Sequence, residues 1–292
     1  FTVRGPEVSN YVFRLDNHAE CNHNGGTVTF SLTAENNASI MDVTSLQGTG
    51  VNNILVTQSV RTSNGNSLQF QGSDQVKGNL TLTGNGSQSC VVDTNFNGAS
   101  LTVDGDVTVN NHATLMGRTT NTGNYSFGSL TIASGGTYNA TSGTTTITGI
   151  ESGASRSVLN SGTLTHNSGT FLFNGDMDQK ISTNSTGRFN NITLNKSNND
   201  FVFIDSSTTV DGNLDITMGD NTRQCRPSST SGTITVLGNV IVREGIMLRS
   251  ANDCSGNMEF GGLILESGGI YGTTSGTTKI NGALRNIGGT IN

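Results

Sequence analysis

The run from Phe127 to Gly149, FGSLTIASGGTYNATSGTTTITG, returns as FGGLILESGGIYGTTSGTTKING between Phe260 and Gly282, with 14 of 23 positions identical at a constant offset of 133. Each copy holds a short alternating strand (Leu130-Thr-Ile132; Leu263-Ile-Leu265), a Gly-Gly corner, a single tyrosine and a Thr-rich strand after Ser-Gly. Two such copies, far apart in one polar chain, are best explained as turns of one coiled architecture, because periodic self-similarity is the mark of solenoids.

Shorter echoes fill the space around the two copies. A five-residue strand core recurs as NLTLT (79–83), SLTVD (100–104), SLTIA (129–133), NITLN (191–195), NLDIT (213–217), NVIVR (239–243) and GLILE (262–266). Its apolar anchors are Leu80, Leu101, Leu130, Ile192, Leu214, Val240 and Leu263, spaced at near-regular intervals apart from one wide gap between Leu130 and Ile192. That gap contains further strand–turn units and counts as three turns. Period-2 strands separated by Gly and Asn corners at this interval predict an all-β chain, a parallel β-helix or β-solenoid of about twelve turns, with two or three strands per turn. One alternation set, such as Leu130 and Ile132, points inward, and Thr131 points out. Phe127, Phe189 and Phe260 hold the same place before their strands, which predicts an internal aromatic stack. No helix of consequence is expected.

Composition agrees with a narrow core. The 292 residues include 39 Gly, 2 Pro and no Trp, with 12% charged and 32% hydrophobic. Thr, Ser, Asn and Gly replace the usual charge, and these are the residues of turns and of strands with one wet face. A net charge of −6 argues against a nucleic-acid partner, which would require a basic stripe. No apolar run approaches the ~18 residues of a membrane span. The start at Phe1, with no charged-then-apolar leader, is that expected of a processed chain.

Four cysteines without a CxxC motif suggest an oxidising, extracellular setting. Cys225 and Cys254 lie about one turn apart, and stacked strands bring Cα atoms within disulfide range, so this pair is the first expectation. Cys21 with Cys90 then follows by elimination, although four cysteines allow three connectivities.

Residues 1–26 differ from the rest of the chain and are read as an N-terminal cap or docking segment, with residues 27–292 as the solenoid. Val8 to Leu15 forms the expected strand, with Tyr11 and Phe13 along it. Within the segment, Asp16, His18, Glu20, Cys21 and His23 have the residue types of a transition-metal site. A solvated cap loop whose cysteine is engaged in a disulfide explains them equally, so no metal or cofactor is expected. Asp104-Gly-Asp106 and Asp176-Met-Asp178 place paired carboxylates where a polysaccharide-cleaving solenoid would want a general acid and base, or where Ca²⁺ would sit. The basic partners such a site needs are scattered singly, so these are read as turn carboxylates. His112 and His166 stand alone and are read as corner or surface residues.

The run SGTLTHNSGTFLFNGDMDQKISTNSTGRFNNITLNKS, Ser161 to Ser197, resembles repeats of large secreted surface proteins of bacteria and some archaea, the adhesin-like right-handed β-helix proteins. The resemblance is close over that run, with weaker echoes through roughly 27–290. It implies a solenoid scaffold and a surface location, and it carries no catalytic residue across.

A parallel coil exposes unpaired backbone groups at both ends, an invitation to strand addition. The expectation is therefore a non-enzymatic, secreted or cell-surface structural subunit that assembles head-to-tail into a filament with copies of itself. Its contacts would involve Val8, Tyr11, Phe13 and Leu15 at one end and Leu284, Ile287 and Ile291 at the other. The alternatives are a fragment of a longer adhesin, an adhesin rod binding surface glycans through an exposed groove or aromatic patch, and, in the enzyme class, a polysaccharide lyase or hydrolase.

Overall fold

The computed structural model describes residues 2–3, 11–14, 25–32, 39–42, 51–59, 68–70, 72–84, 90–94, 97–117, 120–184, 187–196, 201–205, 208–219, 224–227, 233–247 and 256–292. Among these every strand pairing given by the register is parallel, and no helix occurs. The fold is an all-β parallel solenoid with three sides to a turn. It divides into two compact units, residues 1–145 with 161–167, and residues 146–160 with 168–292.

In the first unit the second side of the coil is built by the ladder Ile54, Leu80, Val107 and Leu130, each in register with the next. The third side runs from Cys90–Thr94 through Ala113–Gly117 and Thr137–Asn139 to Thr163–Thr165. Inward residues alternate with outward ones as the period-2 pattern requires. Val107, Val109, Leu130 and Ile132 are fully buried, whereas Thr108 and Thr131 are half-exposed.

The second unit repeats the scheme. Its second side stacks Phe171, Ile192, Leu214, Val240, Leu263 and Leu284, and its first side Phe189, Val210, Val236, Phe260 and Ile280.

Several expectations change. Leu101 does not continue the Leu80 ladder. It pairs with Asp74 and Tyr125 on the first side, and Val107 takes the place above Leu80. The strand Leu101–Val109 runs across a corner at Gly105, so one strand serves two sides. Nor do the phenylalanines form one internal stack. Two valines separate Phe189 from Phe260; Phe189 meets Phe171 edge-on at 4.9 Å, and Phe260 meets Tyr271 at 6.1 Å. About nine turns are complete rather than about twelve. The turns through 2–14, 27–42 and 53–70 carry strands on only two sides among the described residues. Finally, Thr2–Val3 pairs with Thr29–Phe30, and Tyr11–Arg14 with Ile40–Asp42, both parallel. These strands lie in the coil's own ladder, as its first turn rather than as a separate cap.

Corner chemistry explains the recurring Gly-Asn. The backbone N–H of Asn79 donates to Asn53 Oδ1, and that of Asp106 to Asn79 Oδ1, each at 2.8 Å. In the second unit Asn213 N–H donates to Asn191 Oδ1 at 2.9 Å and Asn239 N–H to Asn213 Oδ1 at 2.8 Å. Each asparagine thus caps the turn above it. The preceding residue must be glycine where that side chain lies: a Cβ on Gly212 would meet Asn191 Oδ1 at 2.2 Å.

The two copies of the long repeat reproduce one set of contacts. Tyr138 and Thr145 share a hydroxyl–hydroxyl bond of 3.0 Å, and Tyr271 and Thr278 one of 2.8 Å. Thr141 Oγ1 donates to Gly123 O and Thr274 Oγ1 to Gly256 O, at 2.7 and 2.9 Å. Thr144 N–H donates to Asn124 Oδ1 and Thr277 N–H to Asn257 Oδ1, both at 2.9 Å. The sequence identity is therefore the preservation of a bonding pattern that closes each corner.

Candidate ligand groove

The third side of the second unit is formed by Gln179–Thr183, Val202–Asp205 and Gln224–Pro227, in register. Gln179, Ile181, Val202, Ile204 and Cys225 point inward and are buried. Alternation then sends Lys180, Phe203 and Arg226 outward, one above the other. Phe201 lies beside Phe203, with ring centroids 5.9 Å apart. The Arg226 guanidinium covers both rings, its carbon 4.8 Å from the Phe203 centroid and 5.0 Å from that of Phe201. Such contacts hold a guanidinium flat while leaving its N–H edge to solvent or ligand.

Next to this column is an open groove of about 510 Å³ lined by Ile150, Ser155, Met177, Asp178, Lys180 and Phe203. Ile150 and Ser155 come from the excursion between strands Thr144–Ile147 and Val158–Asn160, and Met177 and Asp178 from the turn after Phe173. Two buried side chains tie these walls together. Gln179 Nε2 donates to Ile147 O at 2.9 Å and Gly149 O at 3.4 Å, while its Oε1 accepts from Gly175 N–H at 3.2 Å. The ammonium of Lys196, only 1% exposed, donates to Gly175 O, to Met177 O at 2.7 Å and to Gln179 Oε1 at 2.9 Å. A buried ammonium survives only where oxygen acceptors replace its water. Here those acceptors belong to the 175–179 turn, so Lys196 holds that turn in shape. Asp178 Oδ1 accepts the Phe201 N–H at 2.8 Å, joining the wall to the aromatic pair. The result is a fixed hollow with an aromatic and aliphatic floor and a few oriented polar groups, the make-up of sites that hold small polar ligands.

Of the residues singled out in the sequence, Asp178 lies in the groove and Asp176 is exposed beside it. Asp104 and Asp106 are divided by the Gly105 corner. Asp104 meets Gln75 at 3.3 Å and Lys77 at 3.3 Å, and Asp106 accepts from Ser129 at 2.7 Å. His112 sits exposed at a corner with φ of 57°. Among the described residues no three His, Cys, Asp or Glu converge on a metal position; the 16–23 cluster lies outside them.

Cys90 and Cys225 are buried free thiols, and their expected partners Cys21 and Cys254 lie outside the described residues. Burial pushes each thiol from 9.0 to about 12, with a backbone hydrogen bond from Thr83 pulling Cys90 slightly the other way. The position stacked on Cys225 is Met247, so the local turn is shorter than the Cys225-to-Cys254 interval on which that pairing was argued. Val8 and Leu15 lie outside the described residues. Tyr11 and Phe13 lie on the first-turn strand, and Leu284, Ile287 and Ile291 are 53%, 53% and 46% exposed.

Apart from Asp178, the residues that line and frame the groove were not singled out by sequence reasoning. A signal existed: Lys180, Phe203 and Arg226 recur at one constant interval, a single turn each time. Compared with known proteins, the chain matches no family model, no curated protein and no solved structure.

Proposed function

We propose that the chain is a non-enzymatic, secreted solenoid that displays a glycan-binding groove on one side, in the manner of an adhesin rod. The observation that carries this reading is the outward-facing Phe203 beside Lys180 and Asp178, on walls held by the buried Gln179 and Lys196. A pyranose has an apolar C–H face suited to an aromatic ring, and hydroxyls suited to a carboxylate, an ammonium and the Ser155 hydroxyl. A wall already in place spares the ligand the cost of ordering it. Calorimetric titration of the full chain with a panel of neutral and acidic oligosaccharides tests the reading. At least one should bind, and Phe203→Ala should weaken it by about tenfold or more, an ordinary cost for losing a buried aromatic anchor. Absence of any binding, or binding indifferent to Phe203→Ala, sinks it.

A second reading rests on a separate observation. Leu284, Ile287 and Ile291 expose large apolar side chains on neighbouring stretches of the coil. A further turn stacked against them would cover this edge, and in a head-to-tail filament a second copy supplies it. Negative-stain microscopy of the full chain beside the Ile287→Lys/Ile291→Lys variant tests this. Filaments from the first and single particles from the second are expected, and single particles from both would dismiss the filament.

A further inference from the structure

The outer face of the second side, in the second unit, carries a charge pattern that is its own complement. Asp215, Ile241, Ile264 and Arg285 follow one another in register on four successive turns. Val240, Val242, Leu263 and Leu265, their neighbours along the strands, fill the core, so alternation turns the four outward. Ile241 and Ile264 are half-exposed, and Arg285 is exposed with no ion pair among the described residues. The column therefore reads acid, isoleucine, isoleucine, base. Arg243 and Glu266 stand beside the two isoleucines, two residues further along the same strands. Arg243 binds Asp215 at 2.9 Å and Glu266 at 2.7 Å. These three groups sum to one negative charge, and Arg285 at the far end of the column carries one positive charge.

Consider two copies face to face, related by a two-fold axis along the strand direction that passes between Ile241 and Ile264. Their strands run the same way and their stacks of turns run oppositely. Ile241 of each copy then meets Ile264 of the other, Asp215 meets the second copy's Arg285, and Arg243 meets the second copy's Glu266. Each contact occurs twice, as a two-fold interface requires. With the stacks parallel, Asp215 would instead face Asp215, and Arg285 would face Arg285. No existing bond has to break: Arg243 engages both Asp215 oxygens, yet a carboxylate offers about four acceptor sites. The patch covers four turns, about 20 Å along the stack and about 15 Å along the strands. That size suits a weak, transient pair.

We infer that this face pairs two copies of the chain with their stacks opposed, joined by the Ile241–Ile264 contacts and the flanking charges. The inference is independent of the groove, which lies on another side of the coil, and of the head-to-tail filament. A two-fold pair closes at two copies, whereas head-to-tail growth does not close.

Sedimentation velocity of the full chain at rising concentration tests it. Single particles should give way to pairs at roughly tens to hundreds of micromolar, and pairing should weaken as salt is raised. Arg285→Glu and Asp215→Lys each place like charges opposite one another twice in the pair, so each variant alone should associate at least about tenfold more weakly. An equimolar mixture of the two restores opposite charges at both contacts and should pair as the parent chain does. Ile264→Lys should abolish pairing. Circular dichroism of each variant separates lost pairing from lost fold. A parent chain that stays single at millimolar concentration overturns the inference. So does association that the charge variants leave unchanged, or a mixture that pairs no better than its components.

Discussion

Tyr138 and Tyr271 occupy equivalent places in the two copies of the repeat, yet their hydroxyls are in different surroundings. Tyr138 is fully buried and its partner Thr145 is 1% exposed, whereas Thr278, the partner of Tyr271, is half-exposed. Burial pushes both phenols upward, Tyr138 far more than Tyr271. Removing one partner of a dry hydrogen bond leaves the other without water to replace it, a loss of about 1–3 kcal/mol. Tyr138→Phe should therefore lower stability by that amount, and Tyr271→Phe by less than about 1 kcal/mol, because water reaches Thr278. Urea denaturation of the two variants gives the comparison. Equal losses would mean that solvent access does not set the strength of this contact.

At the scale of the element, the Gly-Asn corner is the unit that keeps adjacent turns in register. Asn213→Ala removes the cap on one exposed N–H and should cost about 0.5–1.5 kcal/mol. Gly212→Ala drives a methyl group into Asn191 Oδ1 and to within 2.8 Å of the Asn190 carbonyl, so it should cost more. Adding Asn191→Ala to Gly212→Ala should recover part of that loss, a non-additivity visible in the urea midpoints. Alternation and corner residues were legible in the sequence because each reflects a local rule: the pleat for Leu130 and Ile132, the cap for Asn79 and Asn213. Which side of the coil a strand occupies was not legible. All three sides use the same alternation, so SLTVD looked like the partner of NLTLT although Val107 holds that place. The same ambiguity made the interval from Cys225 to Cys254 look like one turn. The groove was hidden for a related reason. QKIST, VFID and QCRP share no motif with the other strands, and the depth of Lys196 arises only when the 175–178 turn folds over it.

For the whole molecule, the buried thiols set a pH limit. Cys90 and Cys225 ionise near 9.0 when unfolded and near 12 when folded. Between those values the folded chain holds more protons than the unfolded one. Stability is accordingly full below pH 9 and falls as pH rises toward 12, by up to about 1.4 kcal/mol per pH unit for each thiol. Thermal melts across this range should show the decline, and Cys90→Ala/Cys225→Ala should flatten it. A slope unchanged by the double substitution would mean that neither cysteine carries a free thiol in the folded chain. The repeated corner bonds carry a different consequence, one for heredity. Each set, from Gly123 to Thr145 or from Gly256 to Thr278, is completed within a single stretch of chain and engages only neighbouring turns. A gene encoding such a stretch can be copied or lost as a cassette and still yield a foldable product. The length of such a coil is thus open to change by whole turns, with no compensating mutation elsewhere.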